Sequence, residues 1–240
     1  MILCSPPPGT AVPLPGYAVP AGYQGIRSAR PGAAAVNTGV KLHTRGDPMT
    51  TVLYRKNDLE FCFSDVFEGR FLLSLLENMK EKILHEEWDD YDELHHCCKI
   101  IHDFSQQKGL TMDFHTLRRD GEQLGMVMMT HGAIDPRIYA GSGIAISDPT
   151  DQVALLSYFH ISPAGRGNGT FWLRDLIMPF YADQGYTAIY LKTSHPRAFP
   201  LYDRLGAVIG NYTFPSDNGV YSRVGRIYRI PLKERPFPKD

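Results

Sequence analysis

A glycine-rich stretch that could bind an anion lies between an apolar run and a helical pattern. Residues 162–169 read Ser-Pro-Ala-Gly-Arg-Gly-Asn-Gly. The first turn of a helix has unpaired N–H groups and a partial positive charge, and glycines let an anion approach the backbone closely. The stretch therefore predicts a phosphate-bearing ligand, although glycine turns between a strand and a helix also serve chain reversal alone. A P-loop nucleotide enzyme is disfavoured because no Gly-Lys-Ser/Thr follows the glycines.

Hydrophobic periodicity predicts the elements that position this stretch. Amphipathic helices are expected at 70–88 and 91–109, a helix at about 170–184 and a short helix at 198–206. The dipeptide Asp120-Gly121 predicts a hairpin between two of the strands. Strands are expected at 51–55, 111–119, 123–131, 153–161, 187–193, 207–214 and 222–231. The chain is thus expected to form a mixed α/β domain whose mostly antiparallel, seven-stranded sheet is flanked by about four helices.

Two motifs in this order of elements resemble one family. The GNAT superfamily of acyl-CoA N-acyltransferases has a pyrophosphate-binding signature that reads Arg or Gln, two residues, Gly, one residue, then Gly or Ala. Residues 166–170 resemble this signature, and Phe171 replaces the usual Gly or Ala. The segment 198–206 is similar to that family's Ala-x-x-x-Tyr-x-x-x-Gly. In architecture the resemblance covers residues 49–232.

The resemblance implies that acetyl-CoA is the co-substrate and that no metal takes part. The strand at 153–161 would diverge from its neighbour near its end and leave backbone groups free for the pantetheine arm, and the glycine loop would bind the pyrophosphate. His195 stands where many relatives carry an Asn. The residues expected to bind acetyl-CoA are Phe159, Ile161, Arg166, Gly167, Asn168, Gly169, Thr170 and His195.

Two side chains are candidates for proton transfer. The resemblance gives Tyr202 the role of general acid toward the departing thiolate, which its high intrinsic pKa suits; packing of the short helix, which contains Pro200, is the alternative. Some relatives have a glutamate where this chain has Leu155. His160 is then the conventional base on the strand, and by alternation it shares a face with Tyr158. A structural histidine and a water chain both remain alternatives.

An acidic and aromatic segment is the candidate acceptor site. Residues 85–93 read His-Glu-Glu-Trp-Asp-Asp-Tyr-Asp-Glu and concentrate six carboxylates at the junction of the first two helices. In the GNAT family this junction borders the acceptor site, so Glu87, Trp88 and Tyr91 are expected to bind a cationic amine such as a polyamine, an aminoglycoside or a lysine side chain. A solvated helix junction is the alternative.

Composition excludes several classes of function. The formal net charge is −1 and the isoelectric point is near 6.7, which gives no electrostatic reason to expect a nucleic acid or a membrane as partner. The four cysteines lack the spacing of a disulfide framework and favour a reducing compartment, the cytoplasm. His95, Cys98 and His102 have helical spacing, but no second ligand pair accompanies them, so no metal site is expected.

Residues 1–48 differ in composition from the rest of the chain. They contain 8 Pro, 7 Gly and one acidic residue, Asp47, without hydrophobic periodicity. Such a segment is expected to be disordered, because it cannot bury enough apolar surface to offset the entropy of ordering. A translation start assigned too far upstream of Met49, or a vector-derived leader, would account for it.

These observations lead to two hypotheses about function. The first is an N-acetyltransferase that transfers the acetyl group of acetyl-CoA to a primary amine of a small molecule or peptide, by direct attack in a ternary complex. The second is a catalytically inactive GNAT-fold module that binds CoA or regulates a partner, which Phe171 and the missing strand carboxylate permit. A homodimer is compatible with either hypothesis.

Overall fold

A computed structural model describes residues 50–86 and 91–233, all within the compact unit Gly46–Asp240. Residues 1–48, which the sequence predicts to be disordered, lie outside the described residues. The described residues form eight strands and four helices. In chain order these are β1 (Thr51–Lys56), β2 (Leu59–Ser64), α1 (Leu73–Leu84), α2 (Glu93–Ser105), β3 (Leu110–Arg119), β4 (Glu122–Gly132), β5 (Val153–Ile161), α3 (169–183), β6 (Ala188–Thr193), α4 (Phe199–Asp203), β7 (Ala207–Pro215) and β8 (Ser222–Pro231).

The strands form one mixed sheet with the order β1-β2-β3-β4-β5-β6-β8-β7, in which β5 and β6 are the parallel pair. The predicted α/β class is confirmed, but the sheet in the described residues has eight strands instead of seven. The missed strand is β2, which pairs with β1 across Asn57 and Asp58. Asn57 takes the left-handed conformation, with φ of 56°. Without a glycine, this two-residue turn gives a weaker sequence signal than Asp120-Gly121.

Helix boundaries differ from the prediction at both ends of the first two helices. A 3₁₀ turn, Gly69–Leu72, precedes α1, and α2 ends four residues before Gly109, whose φ of 83° turns the chain into β3. The third helix lies within one residue of its predicted range. It comprises an α-helical turn (Gly169–Phe171), a π-helical stretch (Trp172–Ile177) and a second α-helical part (Met178–Asp183).

The two faces of the sheet pack against different helices. Met126 and Met128 of β4 belong to the apolar cluster of α1 and α2, whereas Val127 and Met129 belong to the cluster of α3. This alternation follows from the two-residue period of a strand. The π-helical stretch of α3 buries four residues against the sheet, namely Trp172, Leu173, Leu176 and Ile177. Burial of such side chains contributes about 1.5–3 kcal/mol each, which fixes α3 on its face of the sheet.

A β-bulge at Ser157 changes which side chains of β5 face which helices. Met128 pairs with Tyr158 while Met129 pairs with Leu156, so Ser157 is an extra residue in β5. Before the bulge, Leu156 packs in the cluster of α3; after it, Tyr158 packs in the cluster of α1 and α2. The bulge therefore directs the side chain two residues further on, His160, toward α1 and α2. The hydroxyl groups of Ser157 and Thr130 are 2.8 Å apart and hydrogen-bond across the bulge.

The segment between β4 and β5 is held to the sheet by an ion pair. Arg229 of β8 donates two hydrogen bonds to Asp148, each of 2.7 Å, and the Tyr190 hydroxyl of β6 donates a third at 2.6 Å. Tyr190 is also the last residue of β6 that pairs with β5. The contact thus secures the sheet next to the point at which these two strands separate.

We predict that Ser157→Ala lowers the free energy of unfolding by about 1–3 kcal/mol, because the fully buried Thr130 hydroxyl loses its partner. Urea denaturation measures the change. The double variant Ser157→Ala/Thr130→Val is the control and should recover most of the loss, since both polar groups are then absent. Equal stability of Ser157→Ala and wild type would contradict a stabilising role of this hydrogen bond.

Candidate active site

The parallel strands β5 and β6 separate within the sheet. They pair over three residue pairs only, from Val153↔Ala188 to Leu155↔Tyr190. Strand β5 nevertheless continues to Ile161 while it pairs with β4 on its other edge, and β6 continues to Thr193 while it pairs with β8. The two facing edges beyond Leu155 and Tyr190 therefore have no strand partner in the described residues. The family resemblance implied such a separation near Phe159 to Ile161, where the backbone of β5 is expected to bind the pantetheine arm.

The glycine loop connects the end of β5 to α3 in a tight path. The Ser162 amide donates to Leu124 O at 2.8 Å and the Gly165 amide donates to Ser162 O at 3.0 Å. A Cβ at position 165 would lie 2.9 Å from Ile161 Cγ2 and 3.1 Å from Leu124 O, so a side chain here would force the neighbouring atoms to shift. Gly167 has a φ of 90°, which also favours glycine, and open space surrounds its Cα. The loop is therefore built for close approach of its backbone.

The first turn of α3 has the donors of an anion site. Trp172 is the first residue whose amide bonds to a carbonyl in helical register, donating to Asn168 O at 2.8 Å. The three preceding helical amides, 169–171, belong to the groups that a helix start leaves unpaired. The Asn168 side chain donates to Gly165 O at 3.1 Å and fixes the loop. Arg166 is exposed and pairs with no carboxylate of the described residues, so it can add positive charge.

Phe171, which departs from the family signature, is accommodated by the hairpin β1–β2. Its ring lies 5.6 Å from that of Tyr54 and 5.5 Å from that of Phe61, measured between centroids. Lys56 Nζ lies 4.5 Å from its centroid, within the range of a cation–π contact. The phenyl group is thus packed against β1 and β2, and its backbone amide stays in the first turn of α3.

His160 lies opposite a glutamate that begins α2. Its Nδ1 is 3.2 Å from Glu93 Oε2, and the two side chains are only 7% and 11% exposed. The other ring nitrogen, Nε2, is buried and has no hydrogen-bond partner among the described residues. His160 shares its face of the sheet with Tyr158, as alternation predicted; the Tyr158 hydroxyl donates to Glu93 O at 3.3 Å. His160, the base predicted on β5, is therefore paired with a carboxylate that α2 supplies.

Helix α1 holds the Glu93 carboxylate from the other side. Lys82 Nζ donates to Oε1 at 2.6 Å, and Asn78 Nδ2 lies 3.0 Å from both carboxylate oxygens. Burial alone would raise the pKa of Glu93, but hydrogen bonds and charge from His160 and Lys82 lower it to about 2. Glu93 is thus ionised at neutral pH, with both of its oxygens accepting hydrogen bonds.

Tyr202 is buried in the cluster on the α3 face, which also contacts Phe159 and Ile161. Its ring lies 5.5 Å from that of Tyr228, and burial raises its pKa well above the usual value. A neutral hydroxyl in such surroundings can donate a proton or a hydrogen bond. The short helix that carries Tyr202 spans Phe199–Asp203, which is shorter than the expected 198–206, and Pro200 lies in its first turn.

The remaining cofactor candidates flank the separated strands. Thr170 is half-buried in the first turn of α3, and His195 lies two residues beyond the end of β6, where its amide donates to Thr193 Oγ1 at 3.2 Å. The structure thus gathers the loop, the end of β5 and the residues after β6 at one end of the parallel pair.

Of the three acceptor candidates, Tyr91 is described, and Glu87 and Trp88 lie outside the described residues. The Tyr91 ring stacks on that of His96 at 4.5 Å, with the Arg223 guanidinium 5.5 Å from its centroid. Asp217, between β7 and β8, accepts a hydrogen bond from His96 at 2.9 Å. This side of the sheet therefore has a rim of aromatic and charged groups from α2, β8 and the β7–β8 connection.

Sequence reasoning missed Glu93, Lys82 and Asn78. The sequence analysis treated Glu93 only as one of the six carboxylates of residues 85–93. Its position at the start of the helical pattern of α2 was the signal that could have distinguished it from the others. Its partner His160 is 67 residues away in the chain, and Lys82 and Asn78 of α1 contact Glu93 only because the helices pack together. Local spacing carries no information on such contacts.

The described residues show no group of three or more His, Cys, Asp or Glu side chains placed to hold a metal ion. His95 and Cys98 point to solvent on α2. No helix in the described ranges is both long enough and apolar enough to cross a bilayer.

No protein-family model matches the chain, and no curated protein matches it. Solved structures to which it is similar include the ribosomal-protein-S18-alanine N-acetyltransferase from Escherichia coli, with 12% identity, 73% of this chain and 96% of that chain covered, and a TM-score of 0.45. This is a likeness of fold.

Two further structures illustrate it. A protein from Desulfovibrio desulfuricans assigned to the GNAT acetyltransferases is 12% identical, with 73% and 99% of the two chains covered and a TM-score of 0.47. Spermidine N-acetyltransferase from Vibrio cholerae, in complex with CoA and spermine, is 17% identical, with 72% and 95% covered and a TM-score of 0.43. At these identities and scores, the likeness fixes neither the substrate nor the activity of this chain.

We predict that Glu93→Gln changes how stability depends on pH. A carboxylate whose pKa is lowered from 4.5 to about 2 on folding stabilises the protein above pH 4.5 and loses this contribution as the pH falls toward 2. The wild type should therefore lose up to about 3 kcal/mol more than Glu93→Gln over this range. Urea unfolding at stepped pH measures the difference, and parallel curves for the two proteins would contradict the lowered pKa.

Proposed function

We propose that residues 49–240 form an acetyl-CoA-dependent N-acetyltransferase that acts on a primary amine of a small molecule or peptide. The observation that carries the proposal is the separation of β5 from β6 next to a glycine loop that opens α3. An extended arm and an anion can bind there side by side. Acetyl-CoA combines a pantetheine arm and a pyrophosphate in one molecule.

In the proposed complex, the pyrophosphate binds the amides of the loop and of the first turn of α3. Gly167 and Gly169 keep this backbone accessible, and Arg166 adds a positive charge. The pantetheine arm hydrogen-bonds to the free edge of β5 at Phe159 to Ile161, and Thr170 and His195 complete the contacts. An amide of the same edge donates to the thioester oxygen and stabilises the charge that develops there.

The proposed chemistry is direct transfer in a ternary complex. The nitrogen of a neutral amine attacks the thioester carbon, the C–S bond breaks, and the products are an amide and CoA. One proton leaves the amine and one reaches the thiolate. Holding the two reactants side by side supplies much of the rate, because a bimolecular step becomes effectively unimolecular.

We assign His160 as the base and Tyr202 as the acid. His160 lies on the face of α1 and α2, where Tyr91 contributes to the rim, and Tyr202 lies on the face of α3. The acceptor amine therefore enters from the side of His160, with Glu87, Trp88 and Tyr91 as its proposed contacts. Carboxylates on this rim, such as Asp217, suit a cationic amine. The reaction uses no metal.

We predict that acetyl-CoA raises the melting temperature of the full-length protein. At about 100 times the Kd, binding stabilises by about 2.7 kcal/mol, or roughly 5–10 °C for a domain of this size. CoA should give a similar shift and adenosine alone none. Gly167→Ala, which forces a side chain into left-handed backbone, should weaken the shift. If millimolar acetyl-CoA leaves the melting temperature unchanged, the proposed cofactor site is wrong.

We predict that Tyr202→Phe lowers kcat by roughly 10- to 1000-fold, because the thiolate loses its proton donor. Release of CoA from acetyl-CoA, measured with a panel of polyamines, aminoglycosides and lysine peptides, reports turnover. Tyr228→Phe removes a hydroxyl from the adjacent ring and is the matched control, with kcat expected near wild type. Unchanged turnover in Tyr202→Phe would remove the acid role. Binding of acetyl-CoA without turnover of any amine would favour the inactive CoA-binding module.

A further inference from the structure

The hydrogen bonds around Glu93 determine which nitrogen of His160 carries its proton. A carboxylate can only accept, so the nitrogen that faces it, Nδ1, is the protonated one in a neutral imidazole. The lone pair then lies on Nε2. Lys82 supplies the positive charge that the buried Glu93 needs, so His160 can accompany the carboxylate in its neutral form.

The second nitrogen of His160 is in an unusual position for a structural histidine. Nε2 is buried without a partner in the described residues, which is unfavourable for a polar atom. It belongs to the part of β5 that continues beyond the last pair with β6. A ligand that brings an N–H group to this point would satisfy the lone pair, and a primary amine is such a ligand.

We propose that Glu93, held by Lys82 and Asn78, is a positioning residue that keeps His160 in the tautomer with a free Nε2, and that this nitrogen takes the proton of the acceptor amine. The proposal rests on the proposed acetyl transfer. As the amine nitrogen bonds to the acetyl carbon, its proton passes to Nε2 and forms the imidazolium. Glu93 stays ionised, and the imidazolium returns its proton to solvent after the product leaves.

The variant Glu93→Gln tests the positioning role, because the amide has one acceptor where the carboxylate has two. Lys82 can only donate, so the amide oxygen must face Lys82 and the amide NH₂ must face His160 Nδ1. His160 would then carry its proton on Nε2, where no lone pair remains for the amine. The double variant Glu93→Gln/Lys82→Met lets the amide oxygen turn to His160 and restores the original tautomer.

Nitrogen-15 chemical shifts of the His160 ring, recorded on the labelled full-length protein and assigned with His160→Gln, report the tautomer without any substrate. We expect protonated Nδ1 in wild type, protonated Nε2 in Glu93→Gln, and a return to protonated Nδ1 in the double variant. The kcat of Glu93→Gln should fall about 100-fold and recover at least 10-fold in the double variant. The KM for acetyl-CoA should change by less than about twofold, since general-base loss acts on the proton transfer.

A matched control is available on the other face of the sheet. Asp113 Oδ2 lies 3.0 Å from His131 Nε2 and accepts a hydrogen bond from the Tyr181 hydroxyl at 2.7 Å. Asp113→Asn makes the same chemical change in a buried carboxylate–histidine pair and should lower stability while the tautomer of His160 and kcat stay as in wild type.

The outcomes separate the two proposals. A proton on Nε2 of wild-type His160 would overturn the positioning role, and so would an unchanged kcat in a Glu93→Gln protein whose tautomer has switched. Failure of every amine with wild type would instead refute the proposed acetyl transfer, while the ring spectra would still decide what Glu93 does to His160.

Discussion

The bulge at Ser157 is the feature on which the arrangement of the site depends. One extra residue in β5 reverses the alternation of its side chains, so that Tyr158 and His160 face α1 and α2 while Phe159 and Ile161 face α3. In a regular strand, His160 would face α3 and lie away from Glu93. The Thr130–Ser157 hydrogen bond and the pairing on both sides hold the bulge in place. A local irregularity in the backbone thereby decides which helix supplies the partner of the histidine.

Two buried carboxylate–histidine pairs lie on opposite faces of this sheet, and their surroundings differ. Asp113 accepts a hydrogen bond from the Tyr181 hydroxyl and contacts His131 Nε2, and the Tyr186 hydroxyl lies 2.8 Å from His131 Nδ1. Both ring nitrogens of His131 are therefore engaged. Glu93 has a cation beside it and leaves one nitrogen of His160 unengaged. Both nitrogens of His131 have partners, whereas Nε2 of His160 has none among the described residues and lies on the part of β5 that has separated from β6, so we place the proposed chemistry at His160.

The sequence predicted much of the backbone and the loop of the candidate site. The hairpin at Asp120-Gly121, the strand 153–161 and the third helix were found because each has strong local periodicity or a specific turn signal. Strand β2 was missed because its turn has no glycine. The partners of His160 could not be predicted, since Glu93, Lys82 and Asn78 reach it through the packing of two helices on the sheet. The bulge that makes this contact available leaves no mark in the spacing of apolar residues.

The two faces of the sheet impose a route on the proposed reaction. The glycine loop leads into α3 on one face, and His160 with Glu93 lies on the other. A continuous sheet would keep an acyl donor held by the loop apart from an amine beside His160. Separation of β5 from β6 beyond Leu155 and Tyr190 opens the sheet where β5 carries His160. In the proposed reaction the thioester and the amine would therefore meet between these strands. Backbone donors of β5 would then lie beside the carbonyl oxygen, with the proposed base on the side from which the amine comes.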